Sequence, residues 1–337
     1  MSKLQDYIVA LGDLFMPRAC LACGCRLGMR ERHLCLSCAA DVPYTRFWLA
    51  PHNPLADRFN AVLERHRGTE PMDYAYAAAL IYYKGAYRSI PRALKYQGDL
   101  AAGRHYGALL GRRLAAAPHF ADIDLVIPVP LHWTRRHSRG YNQAEILARA
   151  LVDAFRAAPA QAAPSTAVLS TTSVSGPSER WPVAARHDDG PEVRTDLLVR
   201  ARRTRTQTRV SVDQKAQNVA SAFQVPERFS RWPRFLRRLS RLFSRSARWP
   251  IKVGHGEDGP SGDDTRHDGR ETSRNSRLDR ELPAAVLASA RHILLVDDTF
   301  TTGATLYACY AALRPFTAAR ISIATLAAVE GTPSSGP

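Results

Sequence analysis

From Tyr74 onward the chain carries short apolar runs that do not alternate with polar residues. They fall at 74–83 (YAYAAALIYY), 124–129 (DLVIPV), 293–296 (ILLV) and 321–327 (ISIATLA). Each has the length of a strand, and the second is cut off by Pro130, which has no N–H to offer a sheet. Between the runs, the spacing predicts helices over 86–96, 100–115, 142–156 and near 303–314. Strands that are apolar on both faces and separated by helices predict an α/β fold, with a parallel sheet covered on both sides. DLLVR at 196–200 and AFQV at 222–225 read as shorter ordered pieces. No internal repeat is visible.

Two stretches interrupt this pattern. Residues 157–192 are rich in Ala, Pro, Ser and Thr and read as an irregular insertion. A second low-complexity segment covers 227–283. The expected organisation is therefore residues 1–48 as one unit and 74–330 as an α/β domain carrying both insertions. At the start, Leu4, Ile8, Leu11 and Phe15 recur at helical spacing, while Asp6 and Asp13 and the lack of a basic region argue against a secretory signal. No stretch approaches the ~20 apolar residues of a spanning helix, so the expected location is cytoplasmic.

Composition changes this picture in one respect. At 45% hydrophobic residues the chain is globular in the main, but its formal charge of +16 favours polyanionic partners. Nine basic residues and no acidic one lie between Arg228 and Lys252. Trp232, Phe235, Leu236, Leu239, Leu242 and Phe243 fall on one helical face there. Such a basic amphipathic helix suits an anionic membrane surface or a nucleic-acid backbone. A solvated insert without function is the simpler alternative.

Five of the six cysteines lie between residues 20 and 38. The pairs Cys20-x2-Cys23 and Cys35-x2-Cys38 have the spacing of a tetrahedral four-thiolate zinc site, structural because every ligand position is filled. Cys25 competes with Cys23, and His33 is a further substitute. Cys309, on a helix near the C-terminus, reads as a small core residue.

The densest chemistry is HILLVDDTFTTGATLYACYAALR, residues 292–314. A buried strand delivers Asp297 and Asp298 at its C-terminal end, where open α/β sheets place ligands. The loop Thr301-Thr302-Gly303-Ala304-Thr305 then opens a helix, and its hydroxyls and N–H groups suit a phosphate dianion. The acids are close enough to bind the 2′- and 3′-hydroxyls of a ribose whose 5-phosphate lies in the loop. This order resembles a phosphoribosyl pyrophosphate signature; an acidic strand end beside a threonine-capped helix is the plainer alternative. A second loop, PVPLHWTRRHSRGYNQAE at 128–145, places Arg135, Arg136 and Arg139 near the same sheet edge, where guanidinium forks match pyrophosphate oxygens.

Together these segments resemble the ComF/GntX family, amidophosphoribosyltransferase-like proteins linked to DNA uptake in competent bacteria. The resemblance covers most of the chain. It rests on the cysteine module, Tyr83-Lys84-Gly85, Leu94-Lys95-Tyr96, Pro128 to Leu131, Arg139 to Ala144, Arg203-Thr204 to Gln207-Thr208, Asn218-Val219, Ala222-Phe223 and the phosphate loop. It implies a type I phosphoribosyltransferase-like sandwich with an N-terminal zinc-ribbon-like module. It also implies a loop around Arg202 to Asn218 that closes over substrate, and Lys95 and Lys215 as phosphate contacts. The implied activity is transfer of a phosphoribosyl group with release of pyrophosphate, assisted by Mg2+, with single-stranded DNA and the competence machinery as partners. A non-catalytic phosphoribosyl or nucleotide sensor and a DNA-binding adaptor remain the alternatives, because no general base for an acceptor stands out. The insertion at 228–252 departs from the family pattern.

Overall fold

The structure, a computed structural model, describes residues 17–66, 73–158, 190–201, 222–226 and 283–331. Sequence expectations for the N-terminal helix, the closing loop, Lys215 and the basic segment 228–252 lie outside them.

Five strands form one sheet: β1 (Ala77–Tyr82), β2 (Leu125–Pro128), β3 (Glu192–Val193), β4 (His292–Phe300) and β5 (Arg320–Ala328). Their order is β1-β5-β4-β2-β3, and every neighbouring pair is parallel. Besides a five-residue helix at Leu36–Ala40, the longer helices among the described residues are α1 (Pro54–His66), α2 (Leu100–Ala115), α3 (Trp133–Arg139), α4 (Gln143–Ala157), α5 (Pro283–Ser289) and α6 (Ala304–Leu313). Successive residues of a strand point to opposite faces, so the unbroken apolar runs feed two cores. Val126, Leu294, Val296 and Leu326 pack with α2 and α4 on one face. Ile127, Ile293, Leu295 and Ile323 pack with α1, α5 and α6 on the other. The expectation of a parallel sheet covered on both sides holds.

Glycine brings the two helices of the first face together. A Cβ on Gly111 of α2 would sit 2.1 Å from the Leu151 carbonyl oxygen of α4, and one on Gly107 would sit 2.8 Å from that of Leu147. Any side chain at these positions would force the helices apart.

Four local differences from the sequence expectation matter for the site. Residues 86–96 are not one α-helix: a 3-10 turn (Gly85–Arg88) leads into an α-turn (Ser89–Arg92) and a π-helical turn (Ala93–Gln97). The basic loop after β2 contains α3, capped by His132, whose Nδ1 accepts from the Thr134 N–H, and closed by Gly140 at φ +77°. β3 begins at the very end of the expected 157–192 insertion and closes the sheet beside β2. Finally, β4 does not stop at Val296 but runs to Phe300, because β5 keeps pairing with it up to Phe300↔Ala328. Charged residues ended the apolar run, yet backbone pairing continued.

The cysteine segment docks on the first face. Cys20, Leu27, Leu34, Val42 and Trp48 share a core with Leu80, Ile81, Tyr106 and Leu110. Residues 43–45 run antiparallel along β1, with Tyr82 N–H donating to Pro43 O at 2.9 Å and Thr45 N–H to Leu80 O at 3.2 Å. Tyr87 adds a hydroxyl bond to Cys38 O at 2.9 Å.

Candidate functional site

The connections define where a ligand can sit. From β4 the chain passes through α6 to β5 on one side, and from β2 through α4 to β3 on the other. These helices lie on opposite faces. The boundary between β4 and β2 is therefore a topological switch point, and the crevice beyond its carboxyl ends is the preferred ligand position of an open α/β sheet. Pairing between the two strands ends at Pro128↔Val296. Asp297 and Asp298 overhang there, hydrogen-bonded as strand only on the β5 side.

Because β4 stays extended, the two carboxyl groups leave on opposite faces. Asp298 is 7% exposed and takes the Lys95 ammonium at 2.9 Å. Lys95 Nζ also reaches Thr299 Oγ1 at 3.4 Å. Burial alone would lower the pKa of Lys95, but the Asp298 charge outweighs it and raises it. Asp297 is partly exposed, and its Oδ1 accepts from the Asp298 N–H at 2.8 Å. Burial first, and the Asp298 charge second, push the Asp297 carboxyl up to about 7, against the opposing pull of Lys95. Two neighbouring acids thus share one cation, which leaves Asp297 prepared for another positive charge or a hydroxyl donor.

The threonine loop follows directly. Thr301 and Thr302 are exposed, Ala304 and Thr305 partly so, and Thr302 Oγ1 accepts from Ala304 N–H at 3.5 Å. Gly303 caps α6 at φ +79°, and a Cβ there would meet Phe300 Cζ at 3.0 Å, so both conformation and space require glycine. Exposed hydroxyls at the N-terminus of α6 can accept a phosphate.

The arginine loop is tied to the same edge. Asn142 caps α4 through Ala144 N–H at 3.2 Å and donates to Val129 O at 3.1 Å. The Tyr141 hydroxyl donates to Leu94 O. Arg139 packs over the Tyr96 ring at 5.3 Å, which brings α3 against the Lys95 segment. Arg135 lies close enough to Arg200 for their charges to interact, and Arg200 in turn feels Asp297. Arg136 instead faces Glu145 at 3.9 Å. Of the three loop arginines, Arg135 thus lies toward Arg200 and Asp297, Arg139 lies over Tyr96, and Arg136 is paired with Glu145.

Two contributors were not recognised in the sequence. Arg58 of α1 donates to Thr301 O at 2.9 Å and Val329 O at 2.6 Å and packs over Phe300 at 5.2 Å, so it fixes the entrance to the threonine loop. Its helix was legible: Asn53-Pro54 is a cap with proline at the first turn, and Leu55, Phe59 and Leu63 follow at helical spacing. Arg200 lies over Phe223 at 5.2 Å, on a two-stranded antiparallel ladder of Val199–Arg200 and Phe223–Gln224. That contact depends on chain ends far apart in sequence.

The second centre is the cysteine cluster. The sulfurs of Cys20, Cys23, Cys35 and Cys38 all lie within 4.8 Å of one another, and Cys23 Sγ to Cys35 Sγ is 3.8 Å. A tetrahedron with metal–sulfur arms of ~2.3 Å has edges of ~3.8 Å, so the four can hold a metal ion such as zinc. Burial opposes ionisation of Cys20, but N–H groups of Cys23, Cys35 and Ala22 outweigh it and bring its thiol down to about 6. Cys35 N–H donates to Cys20 Sγ at 3.3 Å. Cys38 is pushed up, chiefly by Cys35, as expected when several sulfurs compete for protons without a cation. Cys25 and His33 lie outside the four-sulfur set. Cys309 is buried, as expected of a core residue.

No family model matches the chain, and no curated protein matches it. Among the described residues no helix is long and apolar enough to cross a membrane.

Proposed function

We propose that the protein binds phosphoribosyl pyrophosphate at the β2/β4 crevice and has the type I phosphoribosyltransferase fold. The observation that carries this reading is the coincidence of the switch point with the Asp297-Asp298 overhang and the Thr301–Thr305 loop. In this reading the loop holds the 5-phosphate and Asp297 accepts from a ribose hydroxyl. Asp298 positions Lys95, and Lys95 and Arg135 draw the pyrophosphate.

If transfer occurs, the C1–O bond to pyrophosphate breaks as an acceptor attacks C1. Positive charge grows on the sugar while negative charge grows on the leaving group. Each pre-placed group that meets such charge is worth roughly 3 kcal/mol. For Mg2+, Asp297 is the carboxylate the chain has to offer, since Asp298 holds Lys95; the ion would neutralise pyrophosphate charge and draw its remaining ligands from ligand oxygens and water. The cysteine cluster, on this reading, holds structural Zn2+, and the link to DNA uptake and single-stranded DNA remains part of the proposal.

Calorimetric titration with phosphoribosyl pyrophosphate, with and without Mg2+, tests the site. Replacing Asp297→Asn together with Asp298→Asn should weaken binding at least ~100-fold; unchanged affinity removes the assignment. Pyrophosphate release over a panel of acceptors separates a transferase from a sensor, for which binding occurs without turnover. For the metal, native mass spectrometry should find one zinc per wild-type chain and none in Cys20→Ser; full occupancy of the variant would contradict the four-sulfur site.

A further inference from the structure

On the outer side of the segment that supplies Lys95 lies a cleft of about 560 Å³, lined by Gly85, Arg88, Ser89, Arg92, Tyr96 and Gln97 among others. We propose that it is a second ligand site, distinct from the phosphoribosyl crevice, which takes a nucleoside diphosphate: phosphates on Arg88 and Arg92, base on Tyr96.

The helical irregularity creates this arrangement. Four residues of α-helix slightly exceed a full turn, whereas four of a π-helix fall short of one. The α-turn through Arg92 followed by the π-turn through Gln97 therefore keeps Arg88, Arg92 and Tyr96 in one row. Lys95, the next residue back, turns the other way to Asp298.

The chemistry of the row is anionic recognition. The cleft lining contains no carboxylate, and among the described residues neither Arg88 nor Arg92 has an acid within ion-pair distance. Arg88 lies over the Tyr83 ring at 5.6 Å, a contact that uses none of its N–H donors. Two guanidinium forks one helical turn apart match adjacent phosphates. Ser89 already donates its hydroxyl to Ala86 O at 2.6 Å, while the exposed Gln97 amide adds a neutral donor.

Tyr96 argues for more than a bare polyphosphate. It is 72% exposed and already stacked with Arg139 at 5.3 Å, a flat platform at the end of the arginine row. Aromatic platforms beside guanidinium groups accept bases by stacking. The cleft volume also falls within the range of small-ligand sites, ~300–1,000 Å³.

Isothermal titration of the full chain with ADP tests this, with pyrophosphate and adenosine as partial ligands. ADP should bind at one site, tighter than either partial ligand. The double replacement Arg88→Ala and Arg92→Ala should weaken ADP about tenfold or more, Tyr96→Ala should weaken it about fivefold, and Asp297→Asn should leave it unchanged. All three cleft residues are exposed, so the fold should survive, and Arg88→Lys with Arg92→Lys should recover only part of the loss. Absence of ADP binding, persistence of binding in the double variant, or loss of it in Asp297→Asn would overturn the proposal. Pyrophosphate binding that is as tight as that of ADP and is lost in the Arg88→Ala and Arg92→Ala variant would also overturn it. Phosphoribosyl pyrophosphate affinity is read separately, so the two sites can fail independently.

Discussion

The two ends of β4 handle buried polarity in opposite ways. At its N-terminal end His292 is completely buried, with Nδ1 2.7 Å from Asp122 Oδ1 and Nε2 2.8 Å from Ser322 Oγ. Ser322 Oγ also accepts from Tyr76 N–H at 3.2 Å, and Asp124 takes the N–H groups of Arg291 and His292, each at 2.8 Å. The residue types are those of a hydrolase triad, yet Ser322 has no exposure and no substrate could reach it. His292, Ser322, Asp122 and Asp124 each have a partner there, and the Asp122 carboxyl, opposed by burial, is brought down by its bond to His292. At the C-terminal end, two acids share one lysine and the Asp297 carboxyl is pushed up. A closed network of this kind holds a fold, whereas an underpaired one beside open space is where a ligand completes the account.

The largest expected effect of breaking this comparison lies at the satisfied end. Replacing His292→Ala strands the Asp122 carboxylate and the Ser322 hydroxyl and opens a void. Urea unfolding should lose about 3 kcal/mol, with phosphoribosyl pyrophosphate affinity unchanged in the remaining folded chain. A stable variant with altered ligand affinity would mean that the His292 cluster does more than hold the sheet.

A smaller cost is expected from Lys95→Met at the other end. The side chain of Lys95 is 27% exposed and that of Asp298 9%, so the stranded carboxylate retains some water, and a loss of about 2 kcal/mol is expected. Here ligand affinity should fall as well, because two acids would face the pyrophosphate without their cation. Loss of stability with full affinity would make Lys95 a structural residue only.

Much of this architecture was legible because local pattern and tertiary role agree. The runs at 124–129, 293–296 and 321–327 are apolar on both faces because helices cover both, and the loop Thr301–Thr305 is written contiguously. The cysteine pairs were legible for the same reason. Strand order was not, since β2 and β4 become neighbours only through pairing across the 163 residues that separate Pro128 from His292. Nor was the extension of β4, which depends on β5 lying alongside. The divergence of Asp297 and Asp298 follows from that extension: read as a loop, the acids converge on one sugar; as strand, they separate. Lys95 was placed among the phosphate contacts, but its partner Asp298 emerges only in three dimensions. Arg58 was passed over because its guanidinium binds backbone oxygens, which carry no sequence signature.

A pH dependence is the sharpest test of the underpaired end. The folded pKa of Asp297, about 7, exceeds the ordinary carboxyl value of 3.8. Between those values the folded chain keeps a proton that the unfolded chain releases, so stability falls as pH rises through this window. Below pH ~4 both states are protonated, and above pH ~7 the deficit is complete. Asparagine carries no such charge. The variant Asp297→Asn should therefore match wild type in Tm near pH 4 and exceed it at pH 8, with the gap opening through this window. Phosphoribosyl pyrophosphate with Mg2+ should stabilise wild type but not the variant and so reverse that order. A Tm difference that stays constant from pH 4 to 8 would mean that Asp297 is as well satisfied as Asp122, and the contrast between the two ends of β4 would disappear.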